Sequence, residues 1–291
     1  RSRPAREALT ATNNIPALGE AILITLDSLA ESQWNSIKLA AVDVIKQLNT
    51  AIVEDDALAS FFPKIVSSLT RILTPGSSNK AGYRVIEQGL EALTLLFTRL
   101  LSDNSTKDLP SLTSTNNTET ANGVLRSTSW LQATVSQIKI ALANIYKMRN
   151  HDKSEVRRAL LKLCLCVMRD CRKSLADCIS MSIETVIGLI GRDGANDAIE
   201  NELRTTLLAD HKLADLLRES LHDWVVSFPR IMRSMDDNKR HLIIHQISVT
   251  LRVLGPDQAN IGDRLADALR DGLSAVLTDS KGLEELHSAL T

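Results

Sequence analysis

The segment DKSEVRRALLKLCLCVMRDC, residues 152–171, decides the fold of this chain. Its apolar residues recur at steps of three and four, the spacing of one face of an α-helix, at Val156, Ala159, Leu160, Leu163, Cys164, Val167 and Cys171. Leu161, Leu165 and Met168 add a second apolar stripe, and Asp152 or Ser154 is expected to cap the helix. A helix with so narrow a polar side must pack between neighbouring helices.

The preceding residues 130–148, WLQATVSQIKIALANIYKM, form another amphipathic pattern, and only the polar residues 149–152 separate the two. This predicts an antiparallel helical hairpin. An acidic residue at the turn, an arginine soon after it and an alanine at the crowded point of the second helix are typical of a HEAT repeat. One hairpin cannot cover its own apolar faces, so we expect stacked copies.

Composition supports an all-α fold. The chain has 291 residues, 44% of them hydrophobic but only 3% aromatic, and no segment shows strand alternation with hairpin turn signals. We therefore predict an α-solenoid of HEAT-like helical hairpins, an α-α superhelix. The net charge of −1, from 34 basic and 35 acidic residues, argues against nucleic acid or an anionic membrane as the main partner. Four cysteines at mostly apolar positions favour a reduced, intracellular protein.

The pattern of helices and breaks predicts the organisation of the chain. Helices are expected at 15–30, 32–53, 57–73, 83–101, 172–190, 196–208 and 212–232, in addition to the hairpin above. Asp55 or Asp56 is expected to cap the third of these. The predicted domains are a flexible lead-in at 1–14, HEAT repeats one and two at 15–101, a Ser/Thr/Asn-rich disordered insertion at 102–129, HEAT repeats three to five plus an unpaired helix at 130–279, and the start of the next segment at 280–291.

Two internal similarities favour HEAT units. Residues 37–42 repeat the pattern of residues 156–161, with a basic residue and then alanine at matching places. Arg157 and Arg240, in two similar turns, lie 83 residues apart (240 − 157), which is about twice the 42 residues of a HEAT unit. Because the chain begins at Arg1, we interpret it as a fragment of a longer protein.

The residue types needed for catalysis do not occur at the necessary spacing. Dinucleotide-binding, phosphate-binding, serine-hydrolase and zinc-protease motifs are all missing from the sequence. His241 and His245, four residues apart, could share a metal ion, but no third ligand stands at suitable spacing. Cys164 and Cys166 point to different sides of one helix, which favours apolar packing over a zinc site. We therefore predict a protein that is not an enzyme and needs no cofactor or metal.

One cluster of charge is a candidate site. It consists of Arg157, Arg158, Lys162, Arg169 and Lys173. One interpretation is a solvated helix face together with a ladder of Asp–Arg pairs between repeats. The other is a basic ridge on the concave surface formed by the second helices, where solenoids usually hold their partners. Such a ridge would suit an acidic peptide or phosphopeptide.

Two longer segments carry a resemblance to a known family. They are residues 130–190, with WLQAT, SEVRRALLKLC and CRKSLADCISMSIETVIGLI, and residues 221–256, LHDWVVSFPRIMRSMDDNKRHLIIHQISVTLRVLGP. Together they resemble the Tel-two-interacting protein one family, the large HEAT-repeat subunit of the Triple-T co-chaperone complex. They cover about a third of the chain.

The resemblance implies a non-catalytic scaffold. Its expected partners are the other Triple-T subunits, the phosphatidylinositol-3-kinase-related kinases, including the Tor and checkpoint kinases, and, indirectly, the ninety-kilodalton heat-shock chaperone. The expected location is cytoplasmic and nuclear. The alternatives are a HEAT-repeat nuclear transport receptor or a phosphatase scaffold, and, less in keeping with the charge, a nucleic-acid enzyme or clamp.

Overall fold

The computed structural model describes residues 11, 13–76, 81–111, 126–190 and 196–255, and the single positions 266, 267, 270, 271 and 274. Every regular element among these residues is helical, which confirms the all-α class. Two 3₁₀ segments, Tyr146–Asn150 and Ala176–Cys178, accompany eleven α-helices: α1 Ile15–Glu31, α2 Asn35–Ala51, α3 Asp55–Leu73, α4 Tyr83–Leu100, α5 Asp103–Thr106, α6 Thr128–Ile145, α7 Ser154–Arg169, α8 Ile179–Leu189, α9 Asn196–Ala209, α10 His211–Met232 and α11 Asp237–Leu254. In the described part of the chain, no helix is both long enough and apolar enough to cross a membrane.

The chain divides into two compact units, Arg1–Ser182 and Ile183–Thr291. In the first unit, α1, α3 and α6 form one layer, which we call the first-helix layer. The helices α2, α4 and α7 form the second-helix layer, in which α4 packs against both α2 and α7. Each layer takes one helix from each of three successive hairpins, so the unit is a stack of helical hairpins, as predicted.

The helices of the second-helix layer run parallel to one another. The side chain of Lys153 at the start of α7 lies 5.7 Å from the ring centre of Tyr83 at the start of α4. Near the other ends of these helices, the Thr98 hydroxyl lies 3.3 Å from Cys166 Sγ. Successive second helices therefore repeat the same orientation, which is the arrangement that a solenoid requires.

Small residues occupy the crowded position of each second helix. Ala41 and Ala159 are buried, and a Cβ on Gly89 would approach Leu73 Cδ2 to 3.3 Å. These three residues match one another in the burial pattern of α2, α4 and α7, which confirms the prediction of a small residue at this point. The same pattern aligns fully buried Lys38 with Val156, so the predicted match of residues 37–42 to residues 156–161 was wrong by one position.

The second unit contains α9, α10 and α11, which pack against one another. Asp236 caps α11, since its side chain accepts a hydrogen bond from the backbone N–H of Lys239 at 3.2 Å. Pro229 lies inside α10, which continues to Met232.

Three local predictions were wrong. Helix α7 begins after Lys153 with no side-chain cap from Asp152 or Ser154. Helix α3 begins after Glu54, also without a side-chain cap, because Asp55 pairs with arginine side chains instead. The helix expected at 172–190 becomes regular only at Ile179, since the Asp103 carboxylate accepts the backbone N–H groups of Lys173 and Ser174 at 2.8 and 3.1 Å.

The described ends of the predicted insertion take part in the fold. Ser102 caps the short helix α5, and Thr128 N–H donates to the carbonyl of Pro110 at 3.2 Å. Residues 112–125 lie outside the described part of the chain, as do residues 1–10 and 280–291 and most of residues 256–279, the end of the segment in which the unpaired helix was predicted. The predictions for these segments stay predictions.

Candidate partner-binding surface

The outer face of α7 carries three of the five predicted basic residues. Arg158, Lys162, Leu165 and Arg169 recur at steps of four, three and four residues, so they share one side of the helix. Arg158 and Lys162 are exposed, Leu165 is partly exposed, and the Arg169 side chain is 58% exposed. Opposite them, Val156, Leu160 and Leu163 are buried in the core, so the core fixes the direction in which the basic residues point.

The other two predicted residues do not join this face. Arg157 is half-buried, and its guanidinium donates to the carbonyl of His151, which ties the start of α7 to the preceding turn. Lys173 is exposed but lies beyond the end of α7, and the Asp103 carboxylate holds its backbone N–H. We call Arg158, Lys162, Leu165 and Arg169 the α7 face.

The neighbouring surface of α4 adds an apolar residue that the sequence did not single out. Leu95 is 44% exposed, and the burial pattern that matches Gly89 with Ala159 makes it the α4 equivalent of Leu165. Glu91 on the same helix is bound by Lys46 of α2 at 2.6 Å, so its charge is neutralised within the layer. The second-helix layer thus presents aliphatic and basic side chains side by side, a combination suited to an acidic, partly apolar partner segment.

The predicted Asp–Arg ladder exists, but at other residues. Asp55 at the start of α3 accepts from Arg99 Nε at 2.8 Å and pairs with Arg126 at 3.4 Å. Arg99 also donates to the carbonyls of Ile52 at 2.7 Å and Val53 at 3.0 Å, and to that of Asn49. We call this network the Asp55 junction. It joins the end of α2, the start of α3, the end of α4 and the approach to α6, so its role is structural.

The four cysteines are buried and free. Burial raises the pKa of Cys164 to about 12 and that of Cys178 to about 11. A hydrogen bond from the Cys171 thiol lowers the pKa of Cys166 and raises the pKa of Cys171. All four side chains are buried, so these thiols serve as small apolar side chains, in agreement with the sequence prediction.

Thiol labelling checks this role. With an aromatic disulfide reagent at pH 8, we expect slow labelling of the native chain and rapid labelling of all four cysteines in denaturant. Cys166, whose pKa is lowered, should react first. Rapid labelling of Cys164 in the native chain, identified by mass spectrometry, would show that the interior around α7 opens far more readily than its burial implies.

The two histidines considered for a metal site do not converge on further ligands. The ring of His245 hydrogen-bonds the carbonyl of Ile190, and His241 is exposed. Within the described residues, no group of three or more metal-binding side chains is close enough to hold an ion.

Comparison with known proteins identifies relatives of this chain. The model of one protein family, described as the TTI1 N-terminal TPR domain, matches residues 2–193. The chain is 25% identical to the human TELO2-interacting protein 1 homolog over 304 residues, and 28% identical to TEL2-interacting protein 1 of Saccharomyces cerevisiae over 313 residues. These alignments cover 93% and 95% of this chain but only 28% and 29% of the two relatives. No solved structure matches the chain.

The family match agrees with both the sequence and the structure. It contains the first of the two segments that carried the resemblance, residues 130–190, whereas the second, residues 221–256, lies beyond it. It also spans all three stacked hairpins of the first unit. The family description names TPR repeats where the sequence pattern predicted HEAT repeats, and both are stacked helical hairpins. The chain therefore belongs to the Tel-two-interacting protein one family, in the part described as the TTI1 N-terminal TPR domain.

Proposed function

We propose that this chain is a non-catalytic scaffold segment of the Triple-T co-chaperone complex. The match of residues 2–193 to the family carries the proposal. The names of the human, mouse and yeast relatives describe them as proteins that interact with TELO2 or TEL2. A stack of hairpins that presents a long surface suits a protein that binds other proteins.

The more specific role follows from the family resemblance. In this proposal, the complex passes newly made phosphatidylinositol-3-kinase-related kinases, such as the Tor and checkpoint kinases, to the ninety-kilodalton heat-shock chaperone. The contact with the chaperone is indirect, and the work takes place in the cytoplasm and nucleus. Because the chain spans less than a third of its relatives, it supplies only part of the scaffold.

Co-expression with the TEL2-type protein of the same organism tests the proposal. The affinity-tagged chain should retain the untagged TEL2-type protein through gel filtration at a fixed stoichiometry. A matched chain with Leu160→Asp, which places a charge at a fully buried position, should fail to fold and lose the partner. If the folded chain retains no TEL2-type protein while a full-length relative does, this segment is not the contact.

Charge reversal on the α7 face tests where the partner lies. We expect Arg158→Glu with Lys162→Glu to weaken binding of the TEL2-type protein about tenfold at low salt, because each exposed charge contributes on the order of 0.5–1 kcal/mol. The loss should shrink as salt is raised. Isothermal titration or surface plasmon resonance measures the affinity.

A control pair separates local from general charge effects. Lys212→Glu with Arg230→Glu makes the same change in net charge at exposed positions of α10 and should leave the affinity unchanged. Both double variants should keep the thermal unfolding of the parent chain, since the four side chains are exposed. Equal affinity of the Arg158/Lys162 variant and the parent would remove the α7 face from consideration.

A further inference from the structure

The first-helix layer contains an open groove between α3 and α6. Its volume is about 550 Å³, within the roughly 300–1,000 Å³ of pockets that hold ligands. Val66 and Ala141 form the buried floor, at 6% and 8% exposure. Pro63 and Ile140 form the walls, and Ile140 is 68% exposed. An isoleucine this exposed beside a concave apolar surface is typical of a binding site.

The walls of this groove are free of acidic residues. The sequence from residue 57 to residue 73 contains Lys64 and Arg71 and no aspartate or glutamate, and the whole of α6 contains Lys139 and no acid. Arg71 lines the groove, and Lys147 donates to Asn144 at its rim at 2.9 Å. The charge complementary to this groove is therefore negative.

The polar groups of the groove favour a helical occupant over an extended one. The backbone groups of α3 between residues 65 and 69, after Pro63, and those in the middle of α6 are already bonded within their helices, so an extended peptide would gain no main-chain partners along this part of the groove. A helix brings its own backbone hydrogen bonds and needs only side-chain contacts. Within the described part of the chain, the side chains of Ser67 and Gln137 have no hydrogen-bond partner, so they are available for such contacts.

We propose that the α3–α6 groove binds an amphipathic helix of a partner protein, with aliphatic residues one turn apart beside Ile140 and acidic residues facing Arg71. A second copy of this chain is a poorer occupant. Among the described helices, the most acidic exposed one is α1, whose only aliphatic residues on the face of Glu20, Asp27 and Glu31 are the adjacent Leu23 and Ile24, whereas a groove between helices takes anchors at successive turns. This inference does not depend on the proposed co-chaperone role.

A designed peptide series tests the groove. The probe is a fluorescein-labelled helix of about five turns, with leucines at i, i+3, i+4 and i+7 and glutamates on its flanks. We expect fluorescence polarisation to show saturable binding to the chain. Replacing the glutamates by lysines, or the leucines by serines, should each weaken binding at least about tenfold, since either change removes one of the two complementary features.

Variants of the chain test whether the peptide binds in the α3–α6 groove. Ile140→Asp and Arg71→Glu should each weaken the peptide about tenfold or more, and Ser67→Trp should do so by filling the groove without changing its charge. Ile24→Asp is the matched control, because Ile24 is 60% exposed on α1 and lies outside the groove. It should leave peptide affinity unchanged.

The results that would contradict the groove proposal differ from those that would contradict the proposed function in the co-purification test above. The proposal is overturned if the acidic peptide fails to bind the folded chain, or if it binds the Ile140→Asp and Arg71→Glu variants as well as the parent. Light scattering measures the mass of the chain in solution and so tests whether a second copy occupies the groove. A monomer is expected, and a dimer that both Ile24→Asp and Ile140→Asp abolish would assign the groove to self-association instead.

Discussion

Replacing Phe62 by alanine is expected to lower the free energy of unfolding of the first unit by about 3–5 kcal/mol. Phe62 on α3 is fully buried. Its ring centre lies 6.2 Å from that of Phe97 on α4 and 6.3 Å from that of Trp130 on α6. The truncation therefore removes apolar contacts that join α3 to both α4 and α6, and it leaves a cavity that rigid neighbours cannot close.

The adjacent residue gives a matched comparison. Phe61→Ala deletes the same atoms from the same helix, but Phe61 is partly exposed and lies near Gly19 of α1. Its cost should stay below about 1.5 kcal/mol. Urea denaturation followed by circular dichroism measures both variants. Equal losses would mean that the aromatic cluster is not the centre of this unit.

Replacing Arg99 by alanine is expected to lower the free energy of unfolding by about 2–3 kcal/mol, since charge-assisted hydrogen bonds are lost and their acceptors are left unpaired. Arg99 is the centre of the Asp55 junction, and its side chain is only 20% exposed. It donates to the Asp55 carboxylate and to carbonyls at the end of α2. Arg99→Lys should recover only part of the loss, because an ammonium group cannot reproduce the planar fork of donors.

Two comparisons make the Arg99 result specific. Arg84→Ala, at an exposed position of the same helix, should change stability by no more than about 0.5 kcal/mol. Asp55→Ala combined with Arg99→Ala should cost less than the two single changes added together, because the residues share one network. Additive losses would show that the two side chains stabilise the fold independently.

The helices could be predicted closely because their apolar periodicity is long and regular. Helix α1 was expected at residues 15–30 and spans Ile15–Glu31; helix α4 was expected at 83–101 and spans Tyr83–Leu100. The delayed start of α8 could not be predicted, since it depends on Asp103, about 70 residues earlier in the chain. A carboxylate at that distance captures two backbone N–H groups that a local pattern assigns to a helix.

The candidate surface could be predicted only in part. Periodicity places Arg158, Lys162 and Arg169 on one face of α7, because a single helix determines their directions. It cannot show that Arg157 turns back to His151, or that Leu95 and Leu165 lie on neighbouring helices of one layer, since these depend on tertiary packing. The groove between α3 and α6 left only one signal in the sequence, the stretch without acids from residue 57 to residue 73.

The order in which the hairpins contact one another bears on how this protein is made. In the first unit, the principal contacts of each helix lie within its own hairpin or with the next one along the chain. A hairpin can therefore begin to settle on its predecessor as soon as it leaves the ribosome, before later hairpins exist. Ribosome-bound chains long enough for residue 111 to have left the exit tunnel should already protect α1–α4 from protease, whereas chains that still hold α4 inside the tunnel should leave α1–α3 open to cleavage.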